Sequence, residues 1–411
     1  MRRFSPWIVA SWTVASVAAG VAAAMLAQLA VGIALAVVLF ALGAAGPAIR
    51  RADWRGFRRW WRLQTRPLGK GTAVASANAA WPALRRALRP DYVWVMYPGT
   101  EDHKRAYMPP WVERTLRPIF PTGVMRFGRY WGMVVASLAT AETLERSPER
   151  MRSLLEDLRG QFPEVPIALA GRLPSIAAST GVGLGRPFTE GHRGTVCAMT
   201  GAAREAARVL GRDPAQITFA VVGSKGFIGA RLVDCLAREF GTVIALDSRY
   251  EGREHGENGV LHTNRPEDLA SAEALFVLTP KGADMDELAP HIASGAVVAD
   301  DTHPEMPEPL RTALQERGAT VLKATLGDER FRFVPPIPDF RADDIPACIL
   351  EALVIVQRGE EVVSTQEAFD RAANELGFRA RLAPHRNSRA RSDAVPEVAG
   401  PRVVPGTVAG G

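Results

Sequence analysis

The sequence predicts an α/β fold: a doubly wound parallel sheet joined to an N-terminal α/β unit and preceded by two membrane-crossing helices. Three observations carry this expectation. The stretch ITFAVVGSKGFIG runs from an apolar strand pattern at Ile217 through Gly223, Gly226 and Gly229 into a helical pattern. Beyond it, short apolar runs alternate with helical segments, which is the pattern of a parallel sheet with ligand sites at the carboxyl ends of its strands. Residues 7–49 contain no charged side chain, and this is nearly twice the roughly 20 residues that one membrane-crossing helix needs.

The N-terminal stretch, residues 1–50, accommodates a transmembrane hairpin. Gln28, its only strongly polar side chain, falls at the midpoint, where the hairpin turn belongs. Arg2 and Arg3 precede the stretch, and Arg50, Arg51, Arg55, Arg58 and Arg59 follow it. With both flanks basic, the positive-inside bias puts both ends, and everything downstream, in the cytoplasm. A cleaved signal peptide fits worse, because the apolar region is too long and no clear cleavage site precedes the basic block.

Up to Pro90 there are thirteen Lys and Arg against one acid, Asp53, so the net charge of +6 conceals a basic N-terminal section and an acidic remainder. In residues 51–90, Arg alternates with Trp54, Phe57, Trp60 and Trp61, which suits membrane lipid headgroups as partners. A stacking surface for single-stranded nucleic acid is less compatible with the two spans just before it, and nothing else resembles a nucleic-acid module. Residues 68–80 read as a Gly/Ala/Ser linker. Cys197, Cys235 and Cys348 lack the spacing of a disulfide framework or a metal site.

At 411 residues the chain accommodates two or three folded units. Residues 91–212 form the expected N-terminal unit: a strand at YVWVMYP, helical patterns over 116–140 and 148–159, a strand over 165–170, a flexible GVGLG loop over 181–185, and a helix over 192–210. Residues 213–330 form a Rossmann-type unit, with a helix to about residue 240 and strands over 243–246, near 260, and over 274–278, 296–299 and 320–322. Residues 331–383 begin with a proline-stiffened loop and continue as helices over 346–358 and 364–376. Residues 384–411 lack periodicity, so disorder is expected there.

The glycine stretch supplies the candidate cofactor-binding residues Gly223, Ser224, Lys225, Gly226, Phe227, Ile228 and Gly229, because glycines let backbone amides and a helix N-terminus meet a pyrophosphate. Strand ends add Asp247, Ser248, Arg249 and Thr279. Asp247, about twenty residues on, suits the ribose hydroxyls of NADH, whereas Arg249 and Arg253 suit the 2′-phosphate of NADPH. The sequence leaves both open. Cys348 lies in DDIPACILEAL, where Asp343 or Asp344 as N-cap and Pro346 in the first turn would put the thiol near a helix N-terminus that lowers its pKa. Ile345, Ile349, Ala352, Leu353 and Val356 form an apolar stripe beside it, so a buried core role is the competing reading.

Four segments in order, FTEGHRGTVCAM, ITFAVVGSKGFIGARLVDCL, VVADDTHP and PACILEALVIVQRG, give residues 92–383 a likeness to a known family. In them the chain resembles the long-chain acyl-[acyl-carrier-protein] reductases, which form fatty aldehydes. The resemblance implies a substrate domain beside a Rossmann domain, NADPH as cofactor, and an acyl thioester on acyl carrier protein or CoA as substrate. It implies a cysteine nucleophile in a pattern matched here by Ala347, Cys348, Glu351 and Ala352. His303 or His192 would then donate the proton that aldehyde formation needs. Two alternatives stand beside it: a shikimate-dehydrogenase-like enzyme acting on a small hydroxy or keto acid, and a membrane-anchored dinucleotide-binding protein without catalysis. No metal is called for.

Overall fold

The computed structural model describes residues 89–385 apart from 108–112, 115, 257, 303–304 and 335–342. The expected membrane hairpin, the basic aromatic segment, the linker and the tail from 386 onward lie outside the described residues. Among those described, no helix is long and apolar enough to cross a membrane.

The first unit begins with β1 (Tyr92–Met96), α1 (Glu101–Tyr107), β2 (Ile119–Phe127) and β3 (Tyr130–Ser137). It continues through α2 (Ala141–Arg146), α3 (Pro148–Gln161), β4 (Ile167–Leu169), α4 (Leu173–Ser179) and β5 (Phe188–Thr189) to the long helix α5 (His192–Leu210). β1 shows why a sheet forms here. Its side chains alternate between faces, as strand geometry requires, and both faces are covered: Tyr92 and Trp94 enter one core, Val93 and Val95 another.

The interval 116–140, expected to be helical, is instead the β2–β3 hairpin. Pro121 and Gly123, where the pairing register shifts, interrupt a helix. Gly128 turns the chain with φ +56°, and Gly132 packs on the Tyr92 ring where no Cβ fits. The end of β2 packs at period two, with Met125 and Phe127 buried and Val124 and Arg126 exposed.

The second unit follows as β6 (Thr218–Val222), α6 (Gly229–Leu236), β7 (Thr242–Leu246), β8 (Arg253–His255), β9 (Val260–Thr263), β10 (Ala274–Val277), β11 (Val297–Asp300), α7 (Glu308–Glu316) and β12 (Thr320–Gly327). Strands β9, β7, β6, β10, β11 and β12 pair in that order, all parallel. Counting the parallel strands alone from β6, this is the order 3-2-1-4-5-6 of a doubly wound dinucleotide fold. Several crossovers are short 3₁₀ turns, as at Pro266–Ser271 and Gly282–Met285.

The C-terminal segment stitches the two sheets together. β13 (Phe331–Val334) returns to pair with β2, giving the first sheet the order β13-β2-β3-β1-β4-β5. β14 (Asp344–Ile345), α8 (Leu350–Arg358), α9 (Gln366–Glu375) and β15 (Arg379–Ala383) follow, and both β14 and β15 pair antiparallel with β12. α5 belongs to both units: Ala198 enters the first core, while Met199, Ala202 and Ala206 enter the second. Gly201 lets β15 approach, since a Cβ there would stand 2.7 Å from that of Ala380.

Candidate functional site

β6 ends in the middle of the parallel sheet, where the strand order reverses and such sheets bind ligands. Gly223, at φ +88°, passes so close to β10 that a Cβ would lie 2.9 Å from Leu278 O, and a Cβ on Gly229 would overlap Gly223 O. Gly226 differs, because its Cβ position meets only Gly223 O, at 3.0 Å, and is otherwise open. The Gly223 and Ser224 amides donate to Leu246 O, and the Gly226 amide donates to Gly223 O. The Phe227 and Ile228 amides have no acceptor among the described residues. They stand at the N-terminus of α6, where aligned peptide dipoles favour an anion. The loop therefore fits a dinucleotide pyrophosphate.

At the end of β7, the acid and the base that gave opposite signals in the sequence are bonded to each other. Arg249 Nε and Nη2 donate to Asp247 Oδ1 and Oδ2, both at 2.8 Å. The Lys225 amide donates to Oδ2 at 2.9 Å and the Arg249 amide to Oδ1 at 3.1 Å. Burial opposes the Asp247 charge, but Arg249 and these amides outweigh it and hold the carboxyl below its usual range. Ser248 is exposed on the same turn. Thr279, just past β10, donates its hydroxyl to Lys281 O at 2.8 Å.

Cys348 lies in a 3₁₀ turn, Ala347–Ile349, one turn ahead of α8. The expected caps do other work: Asp343 and Asp344 pair with Arg381 at 3.2 and 2.6 Å, and α8 starts without a side-chain cap. The thiol is pushed up to about 11 rather than down, chiefly by burial; the Gly171 N–H and Trp94 indole N–H favour the thiolate, while the Asp301 charge adds to the burial effect. Gly171 lies just past the carboxyl end of β4, and Asp301 just past that of β11. Cys348 thus faces the carboxyl ends of strands from both sheets.

Glu351, one helical turn on, is buried and accepts from the Gly191 amide at 3.1 Å and the Arg193 amide at 2.6 Å. It satisfies the first amides of α5 and holds that turn against the cysteine. Gly191 is required there, since it has φ +66° and a Cβ would stand 2.9 Å from Cys348 O.

His192 is buried with its ring edge-on to Phe227 of the glycine loop, centroids 5.8 Å apart. Burial first, then the Arg193 and Arg231 charges, push its imidazole down to about 4. Glu190 Oε2 approaches Nδ1 to 2.9 Å without hydrogen-bond geometry. His303 lies outside the described residues.

Asp300 to Thr302, which the sequence places at a strand end, belong to a polar cluster whose other members, Glu305, Lys323 and His385, sequence reasoning missed. Asp300 Oδ1 accepts from the Thr302 amide and hydroxyl at 2.9 and 2.6 Å, and Oδ2 accepts from the Met306 amide at 2.8 Å. Lys323, buried within β12, pairs with Glu305, whose second oxygen lies 3.0 Å from His385 Nδ1. Burial opposes the Glu305 charge, but His385 and Lys323 pull its pKa down to about 2. Asp301 goes the other way: burial, then the Asp300 charge, push it up to about 7 against the pull of Lys323. One signal was present in the sequence, a lysine inside the apolar strand TVLKATLG. His385 falls in the segment for which disorder was expected, yet it is buried.

No protein-family model matches the chain, and no curated protein matches it. Solved structures match parts of it. The D-isomer specific 2-hydroxyacid dehydrogenase from Xanthobacter autotrophicus Py2, in complex with NADPH and MES, is 24% identical over 32% of this chain and 64% of its own, with a TM-score of 0.24. The 3-hydroxyisobutyrate dehydrogenase from Mycobacterium tuberculosis, with L-serine, is 12% identical over 29% of this chain and 45% of its own, at 0.22. The NAD-dependent malic enzyme from Thermotoga maritima is 14% identical over 68% of this chain and 76% of its own, at 0.35. The chain spans less than two thirds of the length of the first two.

Proposed function

We propose that the chain is an NAD(P)H-dependent oxidoreductase that reduces a fatty acyl thioester, carried on acyl carrier protein or CoA, to an aldehyde through an acyl-enzyme on Cys348. Residues 1–50 tether it to a membrane, with the catalytic units on the cytoplasmic side. The observation that carries this reading is the position of Cys348, which faces strand carboxyl ends of both sheets and lies within electrostatic reach of Asp301.

Cys348 Sγ attacks the thioester carbonyl and expels the carrier thiol. With the thiol near 11, attack needs a base. Asp301, near 7, matches working pH, as a group that takes the thiol proton and later returns one to the hemithioacetal oxygen must. The Gly171 N–H favours the thiolate, and the buried Trp94 Nε1, which has no hydrogen-bond partner among the described residues, is left to turn to it. Glu351 keeps the Gly191 turn packed on the cysteine backbone. The glycine loop would hold NAD(P)H, which would supply the hydride to the acyl carbon; cleavage of the C–S bond of the hemithioacetal, with its hydroxyl proton passing back to Cys348, then frees the aldehyde. His192, pushed down to about 4, packs its ring on Phe227 of the glycine loop.

One observation favours a second reading, a dehydrogenase of a small hydroxy or keto acid: the raised thiol pKa is also that of a cysteine packed as core. The two separate on incubation of the full-length protein with palmitoyl-CoA and NADPH or NADH. Thioester reduction predicts nucleotide oxidation matched by long-chain aldehyde, and a loss of about 1,000-fold or more in Cys348→Ala. The small-acid reading predicts no thioester-dependent oxidation and a Cys348→Ala variant altered in stability more than in turnover.

A further inference from the structure

We infer that Arg249, anchored on Asp247 and flanked by Lys225, binds the 2′-phosphate of an adenosine nucleotide, so that the site selects NADP(H) over NAD(H). The inference rests on the dinucleotide reading of the same loop and decides the preference that the sequence left open. The end of the second strand of such a sheet is where the adenosine ribose lies. An acid there reads the ribose hydroxyls only if its oxygens are available, and each Asp247 oxygen already accepts two hydrogen bonds. The bidentate guanidinium also offsets the carboxylate charge that would repel a phosphate.

Arg249 is arranged to meet an anion. Its side chain is 59% exposed while that of Asp247 is 6% exposed, so the acid lies beneath and the guanidinium above. Nε and Nη2 are used on Asp247, whereas Nη1 has no acceptor among the described residues. A rigid fork with a spare edge is the geometry suited to phosphate. The second cation is fixed beside it: Lys225 Nζ donates to Arg249 O at 2.8 Å and lies 4.3 Å from the Tyr250 ring centroid. That ring is held in turn by His262, whose Nδ1 is 3.0 Å from the Tyr250 hydroxyl. Arg253, the other base named by the sequence, faces Asp268 at 3.6 Å and is the weaker candidate.

The test is calorimetric titration of the full-length protein with 2′,5′-ADP and with 5′-AMP, which differ only in the 2′-phosphate. The expected result is binding of 2′,5′-ADP about 10- to 100-fold tighter, with the gap narrowing as salt rises. Arg249→Gln should close most of the gap, weakening 2′,5′-ADP while freeing Asp247 oxygens for the ribose hydroxyls of 5′-AMP. Lys225→Gln should close part of it, which keeps the test decisive if the Arg249 variant fails to fold. Equal affinities in the wild type would overturn the inference and leave the dinucleotide reading intact. Failure of both nucleotides to bind would overturn the inference and the dinucleotide reading together.

Discussion

In the proposed reaction Asp301, pushed up to about 7 by burial and the Asp300 charge, serves as the base for Cys348, whose thiol burial pushes up to about 11. The first shift has a measurable consequence for stability. Asp301 is raised from its ordinary 3.8 to about 7, so between these values the native chain keeps a proton that the unfolded chain has lost. Its contribution to stability is full below about 4 and is lost as pH rises through about 7. His192 is lowered from 6.5 to about 4 and works in the opposite direction over the same window, so the quantity to measure is a difference. In urea denaturation, the stability of wild type minus that of Asp301→Asn should fall steadily from pH 4 to 7. Parallel curves would show that Asp301 carries no such shift. Little of this was legible beforehand. The glycines and Cys348 announce themselves by spacing and by neighbours in the chain, whereas the state of Asp301 comes from its burial, from Asp300 next to it and from Lys323 on the adjacent strand. Asp247 and Arg249 are two residues apart, yet only the turn after β7 shows that they bond.

At the scale of elements, α5 was legible to its ends because its apolar spacing is regular and Gly211 stops it in a left-handed conformation. The parallel strands of the second unit were legible as short apolar runs, except that β12 continues to Gly327, whereas β3 and β5 of the first sheet were not. Nor was the β2–β3 hairpin, because its apolar residues satisfy both periods. The glycine loop makes a separable prediction. A Cβ on Gly226 meets only Gly223 O, so Gly226→Ala should leave the thermal midpoint within about 3 °C while weakening nucleotide binding about 10-fold or more. Gly229→Ala overlaps Gly223 O and should lower the midpoint as well. Thermal melts paired with calorimetric titration check both, and a Gly226→Ala protein that binds nucleotide normally would remove the pyrophosphate from the loop.

The molecule as a whole places Cys348 at the junction of its two sheets, and this was the least legible feature. Nothing in FRFV says that β13 returns to the first sheet across two hundred residues, or that β15 then crosses to the second. Glu351 and Gly191 meet over 160 positions of sequence, and their contact fixes one side of the junction. The proposed chemistry depends on that junction holding a reactive thiol. The most direct measurement is intact mass of the full-length protein after incubation with palmitoyl-CoA in the absence of NAD(P)H. The predicted result is a mass increase of one palmitoyl group in wild type, released on addition of reduced nucleotide and absent from Cys348→Ala. No adduct on folded wild-type protein, or an adduct that persists in Cys348→Ala, would contradict the acyl-enzyme.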